Sequence, residues 1–236
     1  MFASTLEAPV LLLGAAHVVD LDGPIRATLA NRPLDAIAVE LDEERAQAIL
    51  SETAPDGSGG RSGDAPLFVR LWAVIQRRLG GQLGAGVAGA EMRSAAKLAK
   101  ERGIPLLLID DPIRDTIRRL IGALSPKERV ALLVGSIVGL VIPARLVRNE
   151  IDRYAESPGD YVDDLRTAYP GVARVLLDER NEHMAARLVE ARRNGYGRVA
   201  AVVGDAHVLG LAAALRRHGI PSETVAFQEL RATTGS

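Results

Sequence analysis

The sequence has no cysteine, few aromatics and almost no lysine. Without cysteine there is no disulfide framework, no thiolate metal site and no thiol nucleophile. Aromatic residues make up 3% of the chain, too few for the stacking platforms that hold single-stranded nucleic acid. The 29 basic residues, of which only Lys97, Lys100 and Lys127 are lysine, balance 30 acidic ones, for a net charge of −1. That balance gives no bulk pull on nucleic acid, and none is expected as a partner. Long apolar runs are also missing. The longest uncharged stretch, 130–144, falls short of the roughly 20 residues a spanning helix needs. It carries Gly135 and Gly139 at GxxxG spacing and reads as a buried helix, or as the contact surface of a homodimer. The N-terminus has no basic segment leading into a long apolar stretch, so no secretory signal is read there. The expectation is a soluble, cytoplasmic, free-standing protein with no membrane span. Over 236 residues, 47% apolar and 25% charged content is ordinary globular composition.

What is present is an alternation of short apolar runs and helical segments. Residues 9–13 read as a buried strand ending at Gly14. Asp22 and Pro24 open a helix to about 32, 35–40 is a second strand, and Asp42 caps a helix to about 51. Residues 54–66 are a Gly/Ser/Pro-rich loop, 67–79 an amphipathic helix and 80–89 a second Gly-rich stretch. Residues 90–102 form a helix closed by Gly103, and 104–109 a strand that ends in Asp110 and Asp111. From 112 to 195 the pattern is helical, with Ser125 and Glu128 spaced as a capping box. Residues 198–203 are a strand followed by Gly204, 208–218 a helix and 223–227 a last strand. The fold expected is α/β: a mixed sheet from two strand–Gly-x-x-His–helix–strand end units around a helical middle, in a single domain over 1–236. The strand–helix–strand crossovers imply parallel pairing within each end unit.

The two ends echo one another. Leu11-Leu12-Leu13-Gly14-Ala15-Ala16-His17-Val18 aligns with Ala201-Val202-Val203-Gly204-Asp205-Ala206-His207-Val208. A glycine after a strand permits a tight turn with unusual backbone angles. That turn puts each histidine beyond a C-terminal strand end, the edge where open α/β sheets bind ligands. Glu40 and Asp110 end two other strands, so His17, Glu40, Asp110 and His207 converge if the strands are parallel neighbours. Two neutral imidazoles and a carboxylate suit a divalent ion with open positions, such as Mn, Co or Zn. Such an ion lowers the pKa of bound water and polarises a carbonyl. Gly84 to Gly89 also spell GxGxxG. However, the preceding Arg77-Arg78-Leu79-Gly80-Gly81 is not a buried strand, which argues against a dinucleotide site. Glu179 and His183 share a helix face, but Arg180 and Arg187 crowd it, and the face reads as solvated.

These residues resemble the TraB (pheromone-shutdown) family, related to the Tiki and GumN proteins and more distantly to the ChaN and erythromycin-esterase proteins. The pieces are Gly14 to Val18, Val39 to Arg45, Gly89 to Arg93, Leu108-Ile109-Asp110 with Thr116 to Arg119, Asp178-Glu179-Arg180 with Met184-Ala185, and Val203 to His207. They run in order over nearly the whole chain. The resemblance implies an α/β fold with paired Gly-x-x-His motifs, which in Tiki-like relatives go with metal-dependent proteolysis of peptides. Carried over, His17, His207 and Glu40 are the metal ligands. Glu91 is a further carboxylate partner, and in the hydrolase reading Glu91 or Asp110 is the general base. Arg45, Arg93 and Arg180 hold carboxylates by forked hydrogen bonds, or clamp a substrate. One departure is Asp111, where relatives often carry arginine; Arg114, a turn further on, is the candidate to replace it. Three readings follow: a metal-dependent hydrolase of a peptide or small amide or ester, a non-catalytic protein that sequesters a peptide or signal, and a metal-free hydrolase with His17 or His207 as base.

Overall fold

A computed structural model describes residues 8–15, 22–50, 89–128, 158–226 and 229–230. His17, the segments expected over 54–66 and 67–79, most of the 84–89 glycine run and the 130–144 stretch lie outside the described residues.

Five strands form one sheet: β1 (Val10–Ala15), β2 (Ala36–Val39), β3 (Leu106–Leu108), β4 (Val199–Gly204) and β5 (Ser222–Val225), in the order β3-β2-β4-β1-β5. All four pairings are parallel, so the sheet is parallel and not mixed, and the strands of the two end units pair with each other (β1 with β4 and β5, β2 with β4), not within each unit as expected. The α/β class holds, and the last third of the chain supplies the strand that lies between β1 and β2. The three central strands are VLLLGA, AIAV and VAAVVG, and all but Gly204 among their residues are buried. Continuous small and branched apolar runs of this kind suit strands covered on both faces.

The connecting helices supply that cover. On one face, α1 (Asp22–Leu29) and α3 (Ala90–Arg102) pack Ile25, Leu29, Met92, Ala95 and Leu98 on Leu11, Leu13, Ile37, Val39, Ala200 and Val202. On the other, α7 (Arg180–Arg193) and α8 (Asp205–Arg217) pack Met184, Leu188, Leu211 and Leu215 on Leu12, Ala38, Ala201 and Val203. Each fully buried Leu, Ile or Met contributes about 1.5–3 kcal/mol of transfer free energy. The step from β1 to β2 passes over β4, and the step from β4 to β5 passes over β1 in the opposite direction. Reversal of this kind opens a crevice at the C-terminal edge of a sheet. None of the described helices is long and apolar enough to cross a membrane.

The remaining elements are α2 (Glu43–Leu50), α4 (Ile113–Ala123), α5 (Pro158–Ala168), α6 (Pro170–Ala173) and a π-helical segment, Arg174–Glu179, that runs directly into α7. The described parts of 112–195 are thus helical, as read. Local signals account for several ends. Gly103 closes α3 at φ 66°, a left-handed angle that favours glycine. Ser125 Oγ accepts from Glu128 N at 3.2 Å while Ser125 N donates to Glu128 Oε2 at 2.8 Å, which makes the capping box reciprocal.

Two expectations need correction. Gly204 has φ −57° and ψ 139°, ordinary for any residue, and α8 begins at once with Asp205 rather than at 208. The glycine motif here serves close approach, not unusual angles. A Cβ at Gly14 would stand 2.2 Å from Asp205 Oδ1. The Asp205 carboxylate therefore lies over the backbone of β1, and the first motif's glycine makes room for the second motif's side chain. Gly14→Ala is expected to cost about 1–3 kcal/mol in urea unfolding, with part of the loss recovered in the Gly14→Ala/Asp205→Ala double variant. Strict additivity would contradict this contact.

Candidate functional site

The C-terminal edge of the sheet gathers side chains from β2, β3, β4 and the helices beside them. Glu40 follows β2 directly, and its Oε2 accepts from Gly204 N at 2.6 Å, tying the ends of neighbouring strands. A Cβ on Gly204 would come within 3.3 Å of that oxygen, so glycine keeps the carboxylate close. Asp110 lies two residues beyond β3, with Oδ1 accepting from Asp111 N at 2.9 Å. His207 stands in the first turn of α8.

Arg180, the first residue of α7, reaches into the middle of these groups. Its guanidinium has five N–H bonds, and five acceptors meet them. Nε donates to Asp110 Oδ1 at 3.0 Å, and Nη2 donates to Asp110 Oδ2 at 2.7 Å and to Glu40 Oε1. Nη1 donates to the carbonyl of Leu176 at 3.3 Å and faces His207 Nε2 at 3.1 Å. The Leu176 carbonyl belongs to the π-helical segment, a departure from α geometry that recurs at functional sites. Arg45 adds a second cation: Nη2 donates to Asp110 Oδ2, and Nε to Asp42 Oδ2 at 3.0 Å. Asp42 caps α2 through Arg45 N at 2.8 Å and also accepts from Ile113 N at 3.0 Å, so one carboxylate fixes the starts of α2 and α4.

The charges follow from this geometry. Burial acts to raise the Asp110 carboxyl, and Arg180 and Arg45 outweigh it and hold it below its usual value. Burial likewise opposes ionisation of Glu40, while the positive groups facing it, His207 when charged and Arg180 always, hold it down. Burial also works against the Arg180 charge, but bonds to Asp110 and Glu40 prevail and raise its pKa. His207 is the exception. Desolvation lowers its pKa, and neighbouring Arg180 adds to that, against the pull of Glu40 at 3.4 Å. Burial and Arg180 thus favour the uncharged imidazole, while Arg180 favours the ionised carboxyl groups beside it. His207 Nδ1 is 2.8 Å from Asn181 Oδ1.

The sheet edge thus brings together Glu40, Asp110, Arg45, Arg180 and His207 of the residues singled out from sequence. Arg93 is placed otherwise: its Nε donates to the carbonyl of Ile49 at 3.0 Å, joining α3 to α2. Glu91 is buried in the first turn of α3. β1 ends at Ala15, side by side with Gly204 and two residues before His17 in the chain. Arg114 does not replace an arginine at position 111; it pairs with Glu44 at the exposed surface. Asp111 is met by Arg119 and by His183 Nδ1 at 3.0 Å, and Glu179 by Arg119 and Arg174, so part of the helix face read as solvated is bridged. Asn181 escaped the sequence reading, since nothing in the apolar periodicity marks a polar residue beside Arg180.

His207, Glu40 and Asp110 are the nitrogen and oxygen donors that a divalent ion takes. In this arrangement Arg180 and Arg45 already meet their lone pairs, and a guanidinium occupies the place between them. Among the described residues, no group of three or more His, Asp or Glu side chains is set to hold a metal. The described donors do not fit a metal unless Arg180 withdraws.

Fold and site together define a parallel α/β protein with an arginine-centred histidine–carboxylate cluster at the strand ends. The chain belongs to the TraB/PrgY/gumN family, whose model matches residues 4–224. It is similar to an uncharacterized protein of Methanocaldococcus jannaschii, 26% identical over 223 residues, which are 92% of this chain and 56% of that relative. The chain thus spans little more than half the length of the relative it matches.

A lowered imidazole pKa has a defined effect on stability. The unfolded chain protonates His207 near its ordinary pKa of about 6.5, the folded one only at lower pH. The His207 contribution is therefore present above about pH 6.5 and is lost as pH falls below it. Urea unfolding from pH 7.5 to 5 should show a slope that His207→Gln makes shallower by up to about 1.4 kcal/mol per pH unit. Identical slopes would mean that the ring is not buried uncharged.

Proposed function

We propose that this chain is a hydrolase of a peptide or another small amide or ester bond, with the Glu40–Asp110–Arg180–His207 cluster as its reaction centre. The observation that carries this reading is the buried His207, whose Nε2 faces Glu40 and Arg180 at the sheet's C-terminal edge. A neutral imidazole in a charged centre is a base poised for water. Once Arg180 Nη1 turns away from it, Nε2 takes a proton from the attacking water, and Glu40 at 3.4 Å stabilises the imidazolium that forms. The Arg180 and Arg45 guanidiniums supply positive charge beside the developing oxyanion. The Arg180 and Glu40 side chains keep 14% and 11% exposure, the link from the cluster to its surroundings. His17 is the second imidazole in this reading, because β1 ends next to Gly204 just before it.

The divalent ion expected from the donor set, Mn, Co or Zn, would take His207, Glu40 and Asp110 only after Arg180 released them. The proton transfer above needs only Nη1 to leave Nε2, whereas an ion needs Glu40 and Asp110 freed as well, so the order of events above does not run through a metal. The test is incubation of the purified chain, without a His tag, with peptide libraries, read by mass spectrometry with and without chelator. Cleavage that survives chelator and is lost in His207→Ala is expected. Cleavage abolished by chelator and restored by Mn, Co or Zn would establish the metal-dependent route instead. Saturable peptide binding without any product would overturn the hydrolase in favour of a sequestering protein.

A further inference from the structure

We propose that Asn181 is the positioning residue of this centre: by accepting the Nδ1–H of His207 it fixes the tautomer in which the Nε2 lone pair accepts from Arg180. The argument starts from Arg180. A guanidinium has donors only, and its Nη1 lies 3.1 Å from Nε2. Nε2 must therefore accept, the proton of the neutral ring must sit on Nδ1, and the Asn181 atom 2.8 Å from Nδ1 must be the oxygen. With the opposite amide orientation, Asn181 would donate to Nδ1, and Nε2–H would meet an Arg180 N–H at 3.1 Å, closer than its nearest acceptor, Glu40 Oε1 at 3.4 Å. Adjacent residues at the start of α7 thus grip the two nitrogens of one imidazole.

A second observation supports a built position. Gly210 lies inside α8, where glycine costs about 0.8–1 kcal/mol relative to alanine. A Cβ there would stand 2.1 Å from Asn181 Nδ2. The helix gives up a side chain at that position and the Asn181 amide occupies the space, beneath the same helix that carries His207. Asn181 itself is 4% exposed. The arrangement matches the general pattern in which the working nitrogen of a histidine is oriented by an oxygen acceptor on the other.

The inference rests on His207 being the base proposed above, but its test does not need turnover. Long-range proton–nitrogen correlation spectra of the ¹⁵N-labelled chain at pH 7.5 report which ring nitrogen carries the proton, with His207→Gln assigning the signals. The expected wild-type result is protonated Nδ1 and unprotonated Nε2. Asn181→Leu should give a mixture of tautomers, Asn181→Asp should keep the wild-type form, and Gly210→Ala, which displaces the amide, should resemble Asn181→Leu. A wild-type Nε2–H ring, or an unchanged tautomer in both Asn181→Leu and Gly210→Ala, would overturn the assignment. Should Asn181→Leu not fold, the wild-type and Gly210→Ala spectra decide it. An intact tautomer pattern in a protein that cleaves nothing would refute the hydrolase and leave this inference standing.

Discussion

Two carboxylates brought together out of water cannot both stay ionised unless a cation stands between them. Glu40 and Asp110 are in that position because they terminate strands of one parallel sheet, and Arg180 is the cation. The rest of the site follows from this constraint. The guanidinium spends its N–H bonds on Asp110, Glu40, His207 and the Leu176 carbonyl, so its position is dictated from four directions. Arg45 lies beyond Asp110 and carries the network to Asp42, where helix capping begins. The imidazole is left as the neutral member because burial and Arg180 together oppose a further positive charge.

Much of this was legible in the sequence because strand ends are local signals. The apolar runs ending at Glu40, before Asp110 and at Gly204 put three chemical groups on one edge as soon as parallel pairing was inferred. The capping role of Asp42, the closure by Gly103 and the Ser125–Glu128 box were readable for the same reason: each depends on residues within one turn. Arg180 was singled out only through family resemblance, since its partners are 70 and 140 positions away and no periodicity encodes them. The π-helical segment before it left no mark in the sequence. Gly14 misled because its cause is tertiary: like Gly210, it makes room for a side chain from another element, Asp205 for Gly14 and Asn181 for Gly210.

The arginine-centred arrangement also reframes what a metal would mean here. A guanidinium and a divalent ion compete for the same lone pairs, one with directional N–H bonds and the other with short coordinate bonds. For a member of the TraB/PrgY/gumN family this turns the question of cofactor into one about the position of a single side chain. Asp111 already has Arg119 and His183 as partners and leaves the Arg180 cluster undisturbed.

Charge balance at the centre is most directly measured by a thermodynamic cycle in urea. Arg180→Met alone should lose about 3–5 kcal/mol, because it removes the cation that two buried carboxylates share. Adding Glu40→Gln and Asp110→Asn to Arg180→Met should restore at least about 2 kcal/mol relative to the sum of the separate losses. Losses that simply add, to within about 0.5 kcal/mol, would contradict a structure organised around the Arg180 guanidinium.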